Sequence, residues 1–397
     1  MSRHRWGRTR RQFVRLGTGV ATTVSPVIEV EEFRAGAEAW LAEQKPTAPP
    51  DWGAIMPPER RDQGMEWQQR LHAAGYAGIH WPTEYGGQGL TVAHNQAWME
   101  SCADAGVPPF LNMVGLVLAG GSLQLFGTED QKTAHLPETA AGERVWCQLF
   151  SEPGAGSDLA SLQTRAELDG DEWVVNGQKV WCSGGRASDW GILLARTERD
   201  VPKHQGISFF LIDMRSEGVE TRPLRQMTGE AEFDEVFLTD VRLPADALLG
   251  ERGQGWNIAM ATLTNERGHI GGMGRALTKR LEAIQSLAAT KGLDGPARDR
   301  LVQLYSRGKA YLYMTQRQGP MASVGSSLGK LGMTGFMFDL AELRTDLAGA
   351  DAMLVGPESD GLLAAPGGWF GGGTSQVQRN IIGERILGLP REPRPSE

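Results

Sequence analysis

Residues Leu149–Leu162 read LFSEPGAGSDLASL, a stretch that begins at the end of the apolar run VWCQLF (145–150) and is small and polar from Ser151 onward. Glycines in such a stretch let the backbone approach another group closely. The segment after it, TRAELDGDEWVVNGQKVW (164–181), is patterned as two short strands with Gly-Asp and Asn-Gly turns, so the loop leads into a hairpin and not into a helix. This order argues against a dinucleotide-binding fingerprint, which needs a strand, a glycine-rich turn and then a helix. A long β-turn and a ligand-binding loop both remain open on these residues alone.

A second strand end has a similar composition. The stretch KVWCSGG (179–185) places Trp181 and Ser183 just before two glycines, as Ser151 precedes Gly154 and Gly156. Two strand ends that each carry a hydroxyl, one with an aromatic ring, are suited to a planar, phosphate-bearing ligand. A tryptophan of the core is the alternative reading of Trp181, since the chain has 12 tryptophans.

Composition narrows the class of protein. The chain has 397 residues, a net charge of −8, 40% hydrophobic and 22% charged residues, as in ordinary globular proteins of two or three domains. The acidic balance gives no support for nucleic-acid binding, and no apolar run is long enough to span a membrane. Cys102, Cys147 and Cys182 fit no disulfide or metal framework, so no metal is predicted. Cys147 and Cys182 lie in apolar runs and are predicted to be buried thiols of a cytoplasmic protein.

The N-terminus has a different character. Residues 1–28 contain six arginines and no acidic residue, and TRRQFVRLGTGVATT resembles a twin-arginine export signal. The apolar part that follows is rich in Thr and Gly. We therefore interpret residues 1–26 as a basic extension, which is expected to be disordered, and favour a cytoplasmic location.

The rest of the chain divides into three regions by pattern. Residues 27–143 show helical periodicity, for example in VIEVEEFRAGAEAWLAEQ, where Val30, Phe33 and Ala37 share one face with Trp40 or Leu41. Residues 144–246 read as short strands of an antiparallel meander or barrel. Residues 247–397 return to long amphipathic helices. The sequence thus predicts an α+β protein with a helical domain, a β domain and a helical bundle.

Five segments together resemble the acyl-CoA dehydrogenase family. They are FSEPGAGSDLASL (150–162), NGQKVWCSGG (176–185), EFDEVFLTDVRLPADALLGERGQGW (232–256), LTNERGHIG (263–271) and GGGTSQVQRNIIGERILGLP (371–390). They occur in the order of that family and span most of residues 27–391. The resemblance implies an N-terminal helical domain, a middle antiparallel β-barrel, a C-terminal four-helix bundle and bound FAD.

By motif position, the resemblance also implies the residues of the flavin site. Ser151 is expected to donate a hydrogen bond to flavin N5, Trp181 to pack on the flavin, and Ser183 to hydrogen-bond it. Ser157 is expected near the substrate or a cofactor phosphate. The full set of cofactor residues implied is Gln148, Leu149, Phe150, Ser151, Gly156, Ser157, Trp181, Cys182, Ser183, Thr374, Ser375 and Gln376.

The reaction implied is α,β-desaturation of an acyl-CoA, in which a carboxylate takes the α-proton and the β-hydrogen leaves as hydride. Many family members carry that Glu just before the Gly-Thr of the C-terminal motif, where this chain has Gly372. A subset places it on a bundle helix before an Arg, which here gives Glu266 and Arg267. Independently, Glu266 lies between Leu263 and Ile270 in an apolar stripe, where a charge is costly unless it is paired or functional. An exposed Glu at the edge of that stripe is the alternative.

The expected substrate contacts are Ser157, Thr264, Arg267, Gly372 and Gly373. The backbone N–H of Gly372 is expected to hold the thioester carbonyl. Two other family segments are replaced, by AATKGLDGPARDRL (288–301) and DAMLVGPESDGLL (351–363), and both normally help bind FAD across a subunit interface. This replacement puts a simple homotetramer in doubt.

Three hypotheses follow. The first is an active dehydrogenase, a homo-oligomer or hetero-oligomer, that passes electrons to an electron-transfer flavoprotein. The second is a non-catalytic or half-site subunit that shares a flavin site with a related chain. The third is an oxidase or flavin monooxygenase that uses oxygen on the same fold. Ser151, Trp181, Glu266 and Arg267 favour the first.

Overall fold

The computed structural model describes residues 28–53, 55–271, 274–315 and 321–391. The predicted extension of residues 1–26 lies outside this part of the chain. Within the helices, the side chains of residues 266–271, 274, 276, 315 and 321–326 also lie outside the description.

The first region is helical, as predicted. Its helices are α1 (Val30–Gln44), α2 (Arg61–Ala73), α3 (Val92–Ala105), α4 (Gly120–Phe126) and α5 (Glu129–Ala141). Phe33, Ala37 and Leu41 form the buried face of α1, which confirms the face predicted from periodicity, whereas Trp40 is only partly buried.

The middle region is a sheet of eight strands. They are β1 (Trp146–Leu149), β2 (Arg165–Asp169), β3 (Glu172–Ser183), β4 (Trp190–Arg196), β5 (Ile207–Asp213), β6 (Val219–Leu224), β7 (Phe233–Pro244) and β8 (Leu248–Leu249). The order is β6-β7-β3-β2-β4-β5-β8, and β1 pairs with β4. Most pairs are antiparallel, as expected, but β4 pairs in parallel with β1 and with the first residue of β2.

One predicted turn is wrong. The hairpin between β2 and β3 closes at Gly170, and Asn176-Gly177 lies inside the continuous strand β3. There the register with β7 shifts between Val175 and Gly177, as at a bulge. The Asn176 amide donates to the Asp240 carboxylate at 2.9 Å, and a side chain at position 177 would collide with Thr164. The Asn-Gly pair therefore serves a bulge and a close contact, not a turn.

Strand β6 was not predicted from the sequence. It is an edge strand in which every residue is partly buried or exposed, and only Val219 packs against the core of the sheet in the described contacts. It is held by backbone pairing to β7, which side-chain patterning does not report.

The last region is a set of helices. They are α6 (Gly255–Gly271), α7 (Gly274–Lys291), α8 (Gly295–Thr315), α9 (Met321–Ala348), α10 (Pro357–Ala364) and α11 (Ser375–Asn380). Leu277, Leu281 and Ile284 of α7 are buried against α8 and α9. In the described ranges, none of the helices has both the length and the apolar character needed to cross a membrane.

The three cysteines are buried and unpaired, which confirms the prediction for Cys147 and Cys182. Burial raises the pKa of Cys147 to about 12, so this thiol stays protonated at neutral pH.

Candidate flavin site

Ser151 and Trp181 are brought together at one edge of the sheet. Ser151 lies two residues after the end of β1, and its carbonyl accepts a hydrogen bond from the Val180 N–H at 2.9 Å. Trp181 is the next residue along β3, and Ser183 ends that strand. The structure thus places Ser151 beside Trp181, although it is 30 residues before Trp181, and Ser183 lies two residues further along the same strand.

Trp181 has an unusual backbone. Its φ of 60° lies in the left-handed region, which costs a residue other than glycine about 1–2 kcal/mol. The register between β3 and β7 shifts between Lys179 and Cys182, so Trp181 sits in a bulge. Its side chain is 57% exposed and contacts Phe233 edge-on, with ring centroids 5.8 Å apart. The alternative of a core tryptophan is therefore wrong, and the ring is available to a ligand.

The loop Ser151–Asp158 has one side open. Glu152 and Ala155 exchange backbone hydrogen bonds of 3.1 and 3.0 Å around Pro153-Gly154. A Cβ atom added at Gly154 or Gly156 would meet no atom within 4 Å, so the backbone of the loop can be approached closely from that side.

The far end of the loop is tied to the next connection. Asp158 accepts hydrogen bonds from the Lys203 ammonium at 2.7 and 2.8 Å and from the Ser161 hydroxyl at 2.5 Å. Ser157, the predicted substrate or phosphate contact, is exposed beside it.

Several predicted cofactor residues use their side chains for packing. Leu149 and Cys182 are fully buried, and Phe150 is buried edge-on against Phe209. These three residues can reach a ligand only through backbone atoms. Gln148 is partly buried on β1.

The predicted base lies on α6, which is fixed to α4. The Ser122 and Thr262 hydroxyl oxygens are 2.7 Å apart in a buried contact, and Asn265 packs over Gly121. Thr264, a predicted substrate contact, is exposed and donates its hydroxyl to the Met260 carbonyl at 2.7 Å. Glu266 and Arg267 follow in the same helix, but their side chains lie outside the described part of the chain.

The C-terminal motif forms a glycine turn and a helix start. Gly372 and Gly373 have φ of 67° and 92°, and the Thr374 hydroxyl caps α11 by accepting from the Val377 N–H at 3.2 Å. The Gly372 carbonyl accepts from the Gln378 side-chain amide at 2.9 Å. Ser375 and Gln376 belong to α11, which packs against α9. No described contact joins this segment to Ser151 or Trp181.

Sequence reasoning missed the charged residues beneath the loop. Lys179 of β3 is completely buried and pairs with Glu152, and Asp234 of β7 is completely buried and pairs with Arg186. The available signal was Lys179 itself, a cation within the otherwise apolar inward face of β3.

The residues at this edge suit a planar ring system. In the described part of the chain, the hydroxyls of Ser151, Ser157 and Ser183 make no hydrogen bond to other protein groups, so they are free to bind a ligand. Together with the Trp181 ring and the open glycine backbone, they offer stacking and hydrogen bonding to a flavin.

The fold and this edge together define a flavin-binding dehydrogenase architecture. Family models match the acyl-CoA dehydrogenase N-terminal domain at residues 29–143, the middle domain at 147–241 and the C-terminal domain at 253–387. The chain is 40% identical over 382 residues to acyl-CoA dehydrogenase IpdE1 of Mycobacterium tuberculosis, covering 92% of this chain and 99% of that protein.

Solved structures agree with the family match. A structure titled Tcur3481-Tcur3483 steroid ACAD superposes with a TM-score of 0.79 at 27% identity, over 91% of this chain and 98% of that one. The ChsE4-ChsE5 complex from Mycobacterium tuberculosis gives 0.76 at 28% identity, over 94% of this chain and 100% of that one. The protein belongs to the acyl-CoA dehydrogenase family; it is an oxidoreductase and its cofactor is FAD.

Proposed function

We propose that this protein desaturates an acyl-CoA between its α and β carbons, with Glu266 as the base for the α-proton. The observation that carries the proposal is the juxtaposition of Ser151, Trp181 and Ser183 at one sheet edge in a chain that matches all three family domains. Bound FAD would supply the acceptor for the β-hydrogen, which leaves as hydride.

The chain's own residues supply the rest. The Glu266 carboxylate takes the α-proton, and the electron pair left behind forms the double bond as the hydride departs. The Gly372 N–H donates to the thioester carbonyl, which lowers the cost of the negative charge that develops there. The Ser151 hydroxyl and the Trp181 ring would hold the flavin. Arg267, the next residue in the chain, is proposed to bind the substrate.

The Glu266→Gln variant tests the base. Gln keeps the volume of Glu but cannot accept the α-proton, so we expect the rate of flavin bleaching by the substrate to fall by about 10²–10⁴-fold. The measurement is anaerobic stopped-flow absorbance with a panel of acyl-CoA thioesters. Steroid side-chain thioesters belong in that panel because one structural neighbour is titled a steroid ACAD.

Glu282→Gln, on the exposed surface of α7, is the matched control and should bleach at the wild-type rate. A Glu266→Gln variant that bleaches its flavin as fast as this control would remove Glu266 as the base. Reoxidation of the reduced flavin by oxygen at a catalytic rate would instead support the oxidase hypothesis.

A half-site subunit is the second candidate. Two neighbours are two-chain assemblies by their titles, and this chain lacks both family segments that bind FAD across an interface. One replacement segment exposes Met353, Leu354 and Val355, whose side chains are 89%, 66% and 98% accessible. Such an apolar run is suited to a subunit interface. Flavin content and solution mass of the singly expressed chain test this candidate, since a colourless chain that takes up no added FAD would favour it.

A further inference from the structure

The buried ion pair Lys179–Glu152 lies directly beneath the candidate flavin site. The Lys179 ammonium donates to the Glu152 carboxylate at 2.8 Å and to the Phe150 carbonyl at 3.1 Å. Lys179 is fully buried, and the Glu152 side chain is 7% exposed. Burying two charges is costly, so such a pair is retained only where geometry and hydrogen bonding compensate.

The Glu152 carboxylate accepts hydrogen bonds from three donors. Besides Lys179, its carboxylate accepts from the Gln163 N–H at 2.6 Å and the Thr164 N–H at 2.9 Å. Burial by itself raises the pKa of Glu152, but the Lys179 charge and these hydrogen bonds more than offset it, and the pKa lies below its usual value. The carboxylate is therefore ionised at neutral pH and closes the Ser151–Asp158 loop onto the start of β2.

The contacts of the pair enclose Ser151 on both sides. Phe150 and Glu152, the two neighbours of Ser151, are both held by Lys179. On the opposite strand, Val180 follows Lys179 and binds the Ser151 carbonyl, and Trp181 comes next. One side chain thus connects the residue that carries the hydroxyl to the strand that carries the exposed ring.

We propose that the Lys179–Glu152 ion pair is the positioning element of the flavin site, which holds Ser151 and Trp181 at a fixed separation for FAD. The pair is almost completely buried and acts through the backbone of Phe150–Glu152. This inference depends on FAD as the cofactor and is independent of which residue is the base.

The test uses three variants: Glu152→Gln, Lys179→Met and the double variant. The control is Val241→Ala, which leaves a cavity at a fully buried position of β7 and so lowers stability without touching the ion pair. Hydrogen exchange is measured on the FAD-free chain, and the Kd for FAD by flavin fluorescence. We expect amides of residues 148–164 and 178–184 to exchange at least about tenfold faster in both single variants, and the Kd to rise by at least about tenfold.

The double variant separates positioning from stability. It removes both charges, so it should regain part of the lost thermal stability, yet it lacks the bond to the Phe150 carbonyl and should keep the weakened Kd. The proposal is overturned if exchange in the two segments is unchanged in Glu152→Gln. It is also overturned if the Kd for FAD rises in these variants only as much as their loss of melting temperature predicts, with Val241→Ala as the reference for that relation. The exchange measurement decides the matter even where the single chain binds no FAD.

Discussion

At the scale of single residues, Trp181 shows how backbone strain serves a site. An exposed aromatic ring gains little from packing, so packing does not offset the energetic cost of the left-handed backbone at Trp181 in the free chain. The same backbone presents the ring at the edge where Ser151 and Ser183 lie. We infer that ligand binding, and not stability, explains this residue.

Trp181→Gly tests that inference. Glycine adopts φ of 60° freely, so the free energy of unfolding should change by less than about 1 kcal/mol, whereas loss of the ring should raise the Kd for FAD about tenfold. Urea unfolding and flavin fluorescence measure the two effects. Leu168→Ala, at an equally exposed position in β2, should change neither quantity. An unaltered Kd in Trp181→Gly would show that the ring does not contact the flavin.

Gly372 gives a second residue-scale prediction. Its φ of 67° disfavours any side chain, so Gly372→Ala should lower the free energy of unfolding by about 1–2 kcal/mol. Gly371 has no positive φ and has room for a Cβ, which makes Gly371→Ala the control. Equal denaturation midpoints for the two variants would contradict this account. The same strain makes position 372 a poor place to restore a Glu base in this chain.

At the scale of elements, the loop that follows β1 is joined to β3 through the ion pair of Glu152 and Lys179, and this pair depends on the ionisation of Glu152. The pKa of Glu152 is lowered, so its stabilising contribution is present above the unfolded-state value of 4.5 and is lost as pH falls through the lower folded-state value. The link between loop and strand is therefore strongest at neutral pH and weakens in acid.

The pH dependence of unfolding measures this link. At pH 7, Glu152→Gln should unfold about 3 kcal/mol more easily than wild type, because it leaves Lys179 without its counter-ion. This difference in the free energy of unfolding should begin to decrease near pH 4.5 and decrease further at lower pH. Glu220→Gln, which removes an exposed partner of Arg222, should show no comparable gap at any pH. A gap for Glu152→Gln that is constant from pH 7 to pH 3 would argue against an ionised carboxylate.

At the scale of the whole molecule, the helical core begins close to residue 28. His94 donates its Nε2 proton to the Ile28 carbonyl at 2.8 Å, and Phe33 is the first buried residue of α1. These two contacts tie the segment around residue 28 to the helical domain.

Removal of residues 1–26 should leave folding and FAD content unchanged, because it deletes none of these contacts. Removal of residues 1–33 deletes the acceptor for His94 and the Phe33 ring, and should lower the melting temperature by several degrees. Differential scanning fluorimetry and flavin absorbance distinguish the two truncations. Loss of flavin from the shorter truncation would show that the basic residues contribute to the site.

The sequence by itself determined the order of helical, β and helical regions and the buried face of α1, and it predicted that Ser151, Trp181 and Ser183 belong to one site. These features follow from local periodicity and from contiguous motifs, which a chain displays before it folds. Only the tertiary structure decided that Asn176-Gly177 is a bulge, that β6 is an edge strand and that Lys179 reaches Glu152 across 27 residues. Each of these depends on which strands become neighbours. Register and charge pairing are set by contacts between segments distant in sequence, and those contacts form only when the sheet closes around its core.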